Sequence, residues 1–104
     1  MSRSDNLRYI TSDMLGCEGT QDRSAKAALA FMLNALIEQR GLNQTEAATI
    51  TGMTQPKVSQ VRHYKLQNIS LERLMQALVS LDQDIEIVVR PARRAHSANI
   101  TVAV

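Results

Sequence analysis

The stretch QTEAATITGMTQPKVSQVRH, residues 44–63, decides how this chain reads. It holds two short helical segments separated by Gly52-Met53-Thr54. Asn43, just ahead of it, is a good N-cap, and Glu46 three residues on can complete a capping box. Ala47, Ala48 and Ile50 give the first segment a small buried face. Gly52 stops it after barely two turns, at a bend that needs a residue tolerant of positive φ. Thr54 caps the second segment, and Pro56 sits in its first turn, where a missing N–H costs nothing. Val58 and Val61 point inward with Met53, which leaves Gln55, Lys57, Ser59, Gln60 and Arg62 pointing out. Two helices crossing steeply need a small residue where they approach, and Ala48 is placed for that.

Longer helices flank this pair. From Ala25 the apolar positions Ala28, Leu29, Met32, Leu33, Leu36 and Ile37 follow a helical period, with Asp22 or Ser24 as the cap and Gly41 as a left-handed stop. After the loop 63–68, Ser70 caps a fourth helix whose buried stripe is Leu71, Leu74, Met75, Leu78 and Leu81. Ile69 before that cap can staple to Leu74. The period then changes. Ile85, Ile87 and Val89 alternate with Glu86, Val88 and Arg90, so a strand is expected over Asp84–Arg90, ended by Pro91. Ile100, Val102 and Val104 have strand spacing too, over a short stretch. Ahead of the first helix, Leu7, Ile10 and Met14 fit one amphipathic turn before Gly16 and Gly19 interrupt. Residues 93–97 read as disordered.

Composition bounds the remaining choices. At 104 residues the chain has room for about one ordinary core, and with aromatics at 3% that core must be aliphatic. Net charge is only +2, but its placement is uneven. No acid lies between Glu46 and Glu72, where Lys57, Arg62, His63 and Lys65 sit, and a second basic group follows at Arg90, Arg93 and Arg94. The first 22 residues carry two bases and four acids, a balance of 2 − 4 = −2. Such a middle suits a polyanionic partner, although a solvated charged face would look the same. The one cysteine, Cys17, forms no internal disulfide and no multi-cysteine zinc site. Neither a signal peptide nor an apolar run of about 18 residues is visible, so a cytoplasmic protein away from membranes is expected. Cys17, His63 and His96 form no catalytic or metal-ligand pattern, and no glycine-rich phosphate loop exists. We therefore expect no enzyme activity, no cofactor and no metal.

The segment 44–63 resembles the helix-turn-helix of the lambda-repressor-like, or XRE, family. The resemblance rests on Gln44, Ala48, Gly52, Val58 and Val61 at the family's spacing, and with the flanking helices it covers residues 24–82. It implies a mainly α fold, a bundle of four to five helices, with the second helix of the motif free to enter a major groove. It also implies roles. Gln44 would contact a backbone phosphate. Gln55, just after Thr54 at the start of the recognition helix, would read an adenine edge, with Gln60 reaching a neighbouring base. A glutamine amide suits adenine because it can both donate and accept there. Lys57 would reach a guanine or a phosphate, and Ser59 is a further candidate. Arg62, His63 and Lys65 would clamp phosphates, which positions without specifying. Pro56 departs from the repressors of this family, so the position after Gln55 supplies no polar readout.

Proteins of this kind usually bind palindromic double-stranded DNA as homodimers. The strand Asp84–Arg90 offers the route: pairing with its copy would satisfy its backbone and bury Ile85, Ile87 and Val89. A hairpin with Asn99–Val104 is the alternative within one chain. The order of motif and then SLERLMQALVSLDQDIEIVVRP further resembles the small antitoxin-like, HigA-type, branch, over residues 24–91. Members of that branch neutralise a RelE/HigB-like toxin and repress their own operon. The expected organisation is an N-terminal arm 1–23, a DNA-binding domain 24–82, a dimerisation strand 83–91 and a flexible tail 92–104. A stand-alone phage-type repressor, or a protein-interaction module with an idle basic face, is the alternative.

Overall fold

The computed structural model describes residues 9–10, 21–92 and 99–103. The elements in chain order are β1 (Tyr9–Ile10), α1 (Gln21–Gln39), α2 (Gln44–Thr51), α3 (Gln55–Arg62), α4 (Leu71–Ser80) and β2 (Val102–Ala103). One aliphatic core joins the four helices. Leu33 and Ile37 of α1, Ala47 of α2, Val58 and Val61 of α3, and Leu74 and Leu78 of α4 meet there, closed by Ile69 and Leu81 from the flanking loops. The stripes expected for all four helices supply these residues.

The helix ends follow the local chemistry of the sequence. After α1, Gly41 adopts φ +63. Its N–H reaches the Glu38 carbonyl and that of Leu42 reaches Ile37, each at 3.0 Å, while the Leu42 and Ile37 side chains join the same core. That is a Schellman ending with its apolar clasp. Asn43 and Glu46 form the expected capping box. Ser70 accepts from the Arg73 N–H at 3.0 Å, and Ile69 and Leu74 are both buried, as a hydrophobic staple requires.

Four details differ from expectation. First, α1 begins at Gln21, so Asp22 and Ser24 lie inside it; an acid is favoured in a first turn by the helix dipole. Second, α2 buries Ala47, as expected, but with Thr51 in place of Ala48 and Ile50. Ala48 is half-buried and Ile50 exposed, while the Thr51 hydroxyl donates to the Ala47 carbonyl at 2.7 Å and so enters the core satisfied.

Third, residues 84–92 form neither helix nor strand within the chain and are exposed throughout. Ile87 and Val89 are 72% and 91% exposed. Among the described residues no strand pairs with the stretch expected to be one. Fourth, the chain's last stretch finds a partner in the expected arm. β1 and β2 pair antiparallel, Tyr9 opposite Ala103 and Ile10 opposite Val102, and Val102 packs against the core. Ile10 is therefore extended, not part of a helical turn, and the segment 92–104 contains an ordered strand. Leu7, Met14, Cys17 and residues 93–98 lie outside the described residues.

Candidate nucleic-acid interface

The frame of the site is the α2–α3 pair. Gly52, at φ +75, ends α2 and turns the chain so that Met53 is buried and Thr54 opens α3. The Thr54 hydroxyl accepts from the Lys57 N–H at 3.3 Å, and Pro56 occupies the first turn. Arg73 of α4 braces the bend by donating to the Thr51 carbonyl at 3.4 Å. Gln44, first residue of α2, donates from Nε2 to the carbonyl of Gln55, first residue of α3, at 2.8 Å. The starts of the two helices are thereby held side by side, and their positive dipole ends with them.

α3 is clamped along one face only. Val58 and Val61 are buried, and Asn34, buried in α1, donates from Nδ2 to the Val61 carbonyl at 3.1 Å. Arg62 then returns toward α1. One of its terminal nitrogens donates to the Asn34 carbonyl and to Asn34 Oδ1, at 3.3 and 3.2 Å, and the other to Glu38 Oε1 at 3.2 Å. Arg62 thus ties α3 to α1 instead of standing free as a phosphate clamp.

The other candidates divide into two groups. Thr54, Gln55, His63 and Lys65 are exposed, and Lys57 and Ser59 half-buried. The ring of His63 lies with Nδ1 2.8 Å from the Ser59 carbonyl. A carbonyl only accepts, so Nδ1 carries the proton and Nε2 is left for another partner. Gln60 is less available than its helical position suggested: it is half-buried, and its Oε1 is buried without a hydrogen bond. A groove of about 360 Å³ runs between the C-terminal end of α1, α2 and α3. Ile37, Leu42, Ala47 and Val58 form its apolar part, and Gln44, Ser59, Arg62 and His63 its polar part. Gln44, Ser59 and His63, separated in sequence, therefore share one concave surface.

Asn34, Glu38 and Arg73 carry this geometry, and motif reading had passed over them. Asn34 had a visible signal: it falls four residues after Ala30 and three before Ile37, a polar residue inside an apolar stripe. Glu38 and Arg73 act through partners more than 20 residues away and had none. Among the described residues no cluster of three or more His, Cys, Asp or Glu side chains could hold a metal ion. Nor is any described helix long and apolar enough to cross a membrane.

A capped two-helix frame with one anchored and one open face agrees with the comparison to known proteins. A helix-turn-helix domain model matches residues 11–90. A solved structure named as an XRE family transcriptional regulator is 48% identical, with a TM-score of 0.73, covering 79% of this chain and 93% of that one. The chain belongs to the XRE family of helix-turn-helix transcriptional regulators. No curated protein matches it. Within the XRE family, α2 and α3 are the motif helices, and α3 is the helix that the motif presents to DNA.

Proposed function

We propose that this XRE protein is a sequence-specific, operator-binding repressor of its own transcription that reads bases through the N-terminal half of α3. The observation that carries this reading is the one-sided clamping of α3. Val58, Val61 and Arg62 are committed to the protein, while Gln55 is exposed beside Gln44 on a stretch free of acids between Glu46 and Glu72. Gln55 has the amide chemistry to discriminate adenine, with Lys57 and Ser59 next along the helix. Thr54, Gln44, His63 and Lys65 are assigned to phosphates, where they set register without specifying sequence. Gln60 is demoted to a supporting role because its carbonyl oxygen is inside. Arg62 could reach a phosphate only by leaving Glu38.

The repressor acts as a homodimer on a palindromic operator, with residues 84–90 pairing across the twofold axis. The resemblance to the antitoxin branch over residues 24–91 supports a further role as the antitoxin of a type II module, facing a RelE/HigB-like ribonuclease. The deciding experiment is a gel shift on DNA from immediately upstream of the gene, with wild type, Gln55→Ala and Ser59→Ala. Specific binding that Gln55→Ala abolishes supports the reading. Wild type that ignores this DNA at low salt sinks autoregulation and favours a protein-interaction module. Co-expression with the product of the adjacent gene tests the antitoxin role, which fails if toxicity is absent or is not relieved.

A further inference from the structure

Each of the four helices ends on or just before a residue with left-handed backbone: Gly41, Gly52, Tyr64 and Asp82, at φ +63, +75, +58 and +67. Three of these need no special account. Glycine has no Cβ to clash, and aspartate is among the few other residues that visit this region readily. Tyrosine is not. After α3, the Tyr64 N–H reaches the Val61 carbonyl at 3.1 Å and the Lys65 N–H reaches Gln60 at 2.8 Å. This is a Schellman ending with tyrosine in the place glycine normally fills.

Core packing does not hold Tyr64 in this conformation. The Tyr64 side chain is 47% exposed and stands outside the core. Its hydroxyl has no hydrogen bond to another described residue. Strained residues that return little packing cluster at functional sites. The position of Tyr64 says which site: it lies between the exposed His63 and Lys65, at the far end of the helix that Gln55 opens.

We propose that Tyr64 is part of the DNA interface, its hydroxyl donating to a backbone phosphate beyond the end of α3. This rests on the operator-binding reading and extends it. A phenol is a neutral donor, so it strengthens binding without displacing a counterion, unlike Lys65. Hydrogen bonds to charged acceptors are strong enough for one such contact to be visible in affinity.

The test uses the full chain and duplexes that wild type selects from a random pool, titrated over a range of salt, beside thermal melting. Tyr64→Gly should melt above wild type while its DNA affinity falls about ten-fold. Tyr64→Phe should lose similar affinity with an unchanged salt slope, whereas Lys65→Ala should flatten that slope by about 0.9. Tyr64→Gly binding as tightly as wild type overturns the proposal, and so does Tyr64→Phe binding as tightly as wild type. A lower melting temperature for Tyr64→Gly also overturns it, because the ring would then be structural. If wild type selects no duplex, the operator-binding reading itself falls, and this proposal with it.

Discussion

Asn34 in α1 holds the recognition helix through Val61 in α3, by a buried hydrogen bond of 3.1 Å that spans 27 residues of sequence. The same side chain offers its Oδ1 to Arg62. One amide therefore fixes both the axial position of α3 and the guanidinium next to it. In Asn34→Ala the Val61 carbonyl loses its donor, Arg62 keeps the backbone carbonyl of residue 34 but loses the side-chain acceptor, and a buried cavity opens beside Val61. The expected cost is about 1–3 kcal/mol in chemical denaturation, at the upper end if the buried Val61 carbonyl finds no new donor. A loss below about 0.5 kcal/mol would mean that apolar packing of Val58 and Val61 positions α3 without help.

Gly41 and Gly52 separate backbone strain from steric contact. Both have positive φ, so alanine at either should cost about 1–2 kcal/mol through the backbone alone. An added Cβ at Gly41 meets nothing within 4 Å, whereas at Gly52 it lies 3.3 Å from Arg73 Nη2. That nitrogen also braces the Thr51 carbonyl. Gly52→Ala should thus melt below Gly41→Ala. Equal melting temperatures would show that Arg73 moves aside freely and does not stiffen the bend.

These cases also mark how far the sequence could be read. Caps and stops were legible because each is a rule about residues three or four apart: Asn43 with Glu46, Gly41 with its neighbours, Ser70 with Arg73. The inward stripe of α3 was legible for the same reason. What escaped were relationships over long separations. Arg62 looked like a free cation because Asn34 and Glu38, 28 and 24 residues away, are invisible to a local pattern. The spacing of Ile100, Val102 and Val104 pointed to β2, but β1 and its pairing with β2 escaped, because two residues give no period to recognise and the partner lies about 90 residues away. Thr51 escaped because its buried hydroxyl is satisfied by its own helix, which hydropathy does not register.

Glu38 occupies one edge of the Arg62 guanidinium, accepting from it at 3.2 Å. The pair is partly exposed, with side chains 34% and 70% accessible for Arg62 and Glu38, so its net worth to stability is under about 1 kcal/mol. Glu38→Gln should leave the melting temperature nearly unchanged. It also removes a negative charge beside the groove and frees one edge of the guanidinium. DNA affinity should rise at low salt, with a slope steeper by up to about 0.9 per phosphate gained. An unchanged slope would place Arg62 outside the DNA footprint.

The exposed segment 84–90 makes the dimer testable separately from the fold. Ile87 and Val89 contribute almost nothing to the core of a single chain, at 72% and 91% exposure, and an exposed segment with alternating apolar side chains is prone to pair with another chain. Ile87→Lys combined with Val89→Lys puts like charges at the twofold interface proposed for residues 84–90. We expect wild type to sediment as a dimer and the double variant as a monomer. Melting of the helical core should be spared once measured at concentrations where both proteins are monomeric, because mass action no longer favours the dimer there. The monomer should still make the contacts of one half-site but lose the gain from holding two together, so affinity for a full operator should fall far more than affinity for a half-site. A wild type that sediments as a monomer at tens of micromolar would remove residues 84–90 from the assembly. In that case the half-sites of any operator would have to be filled independently.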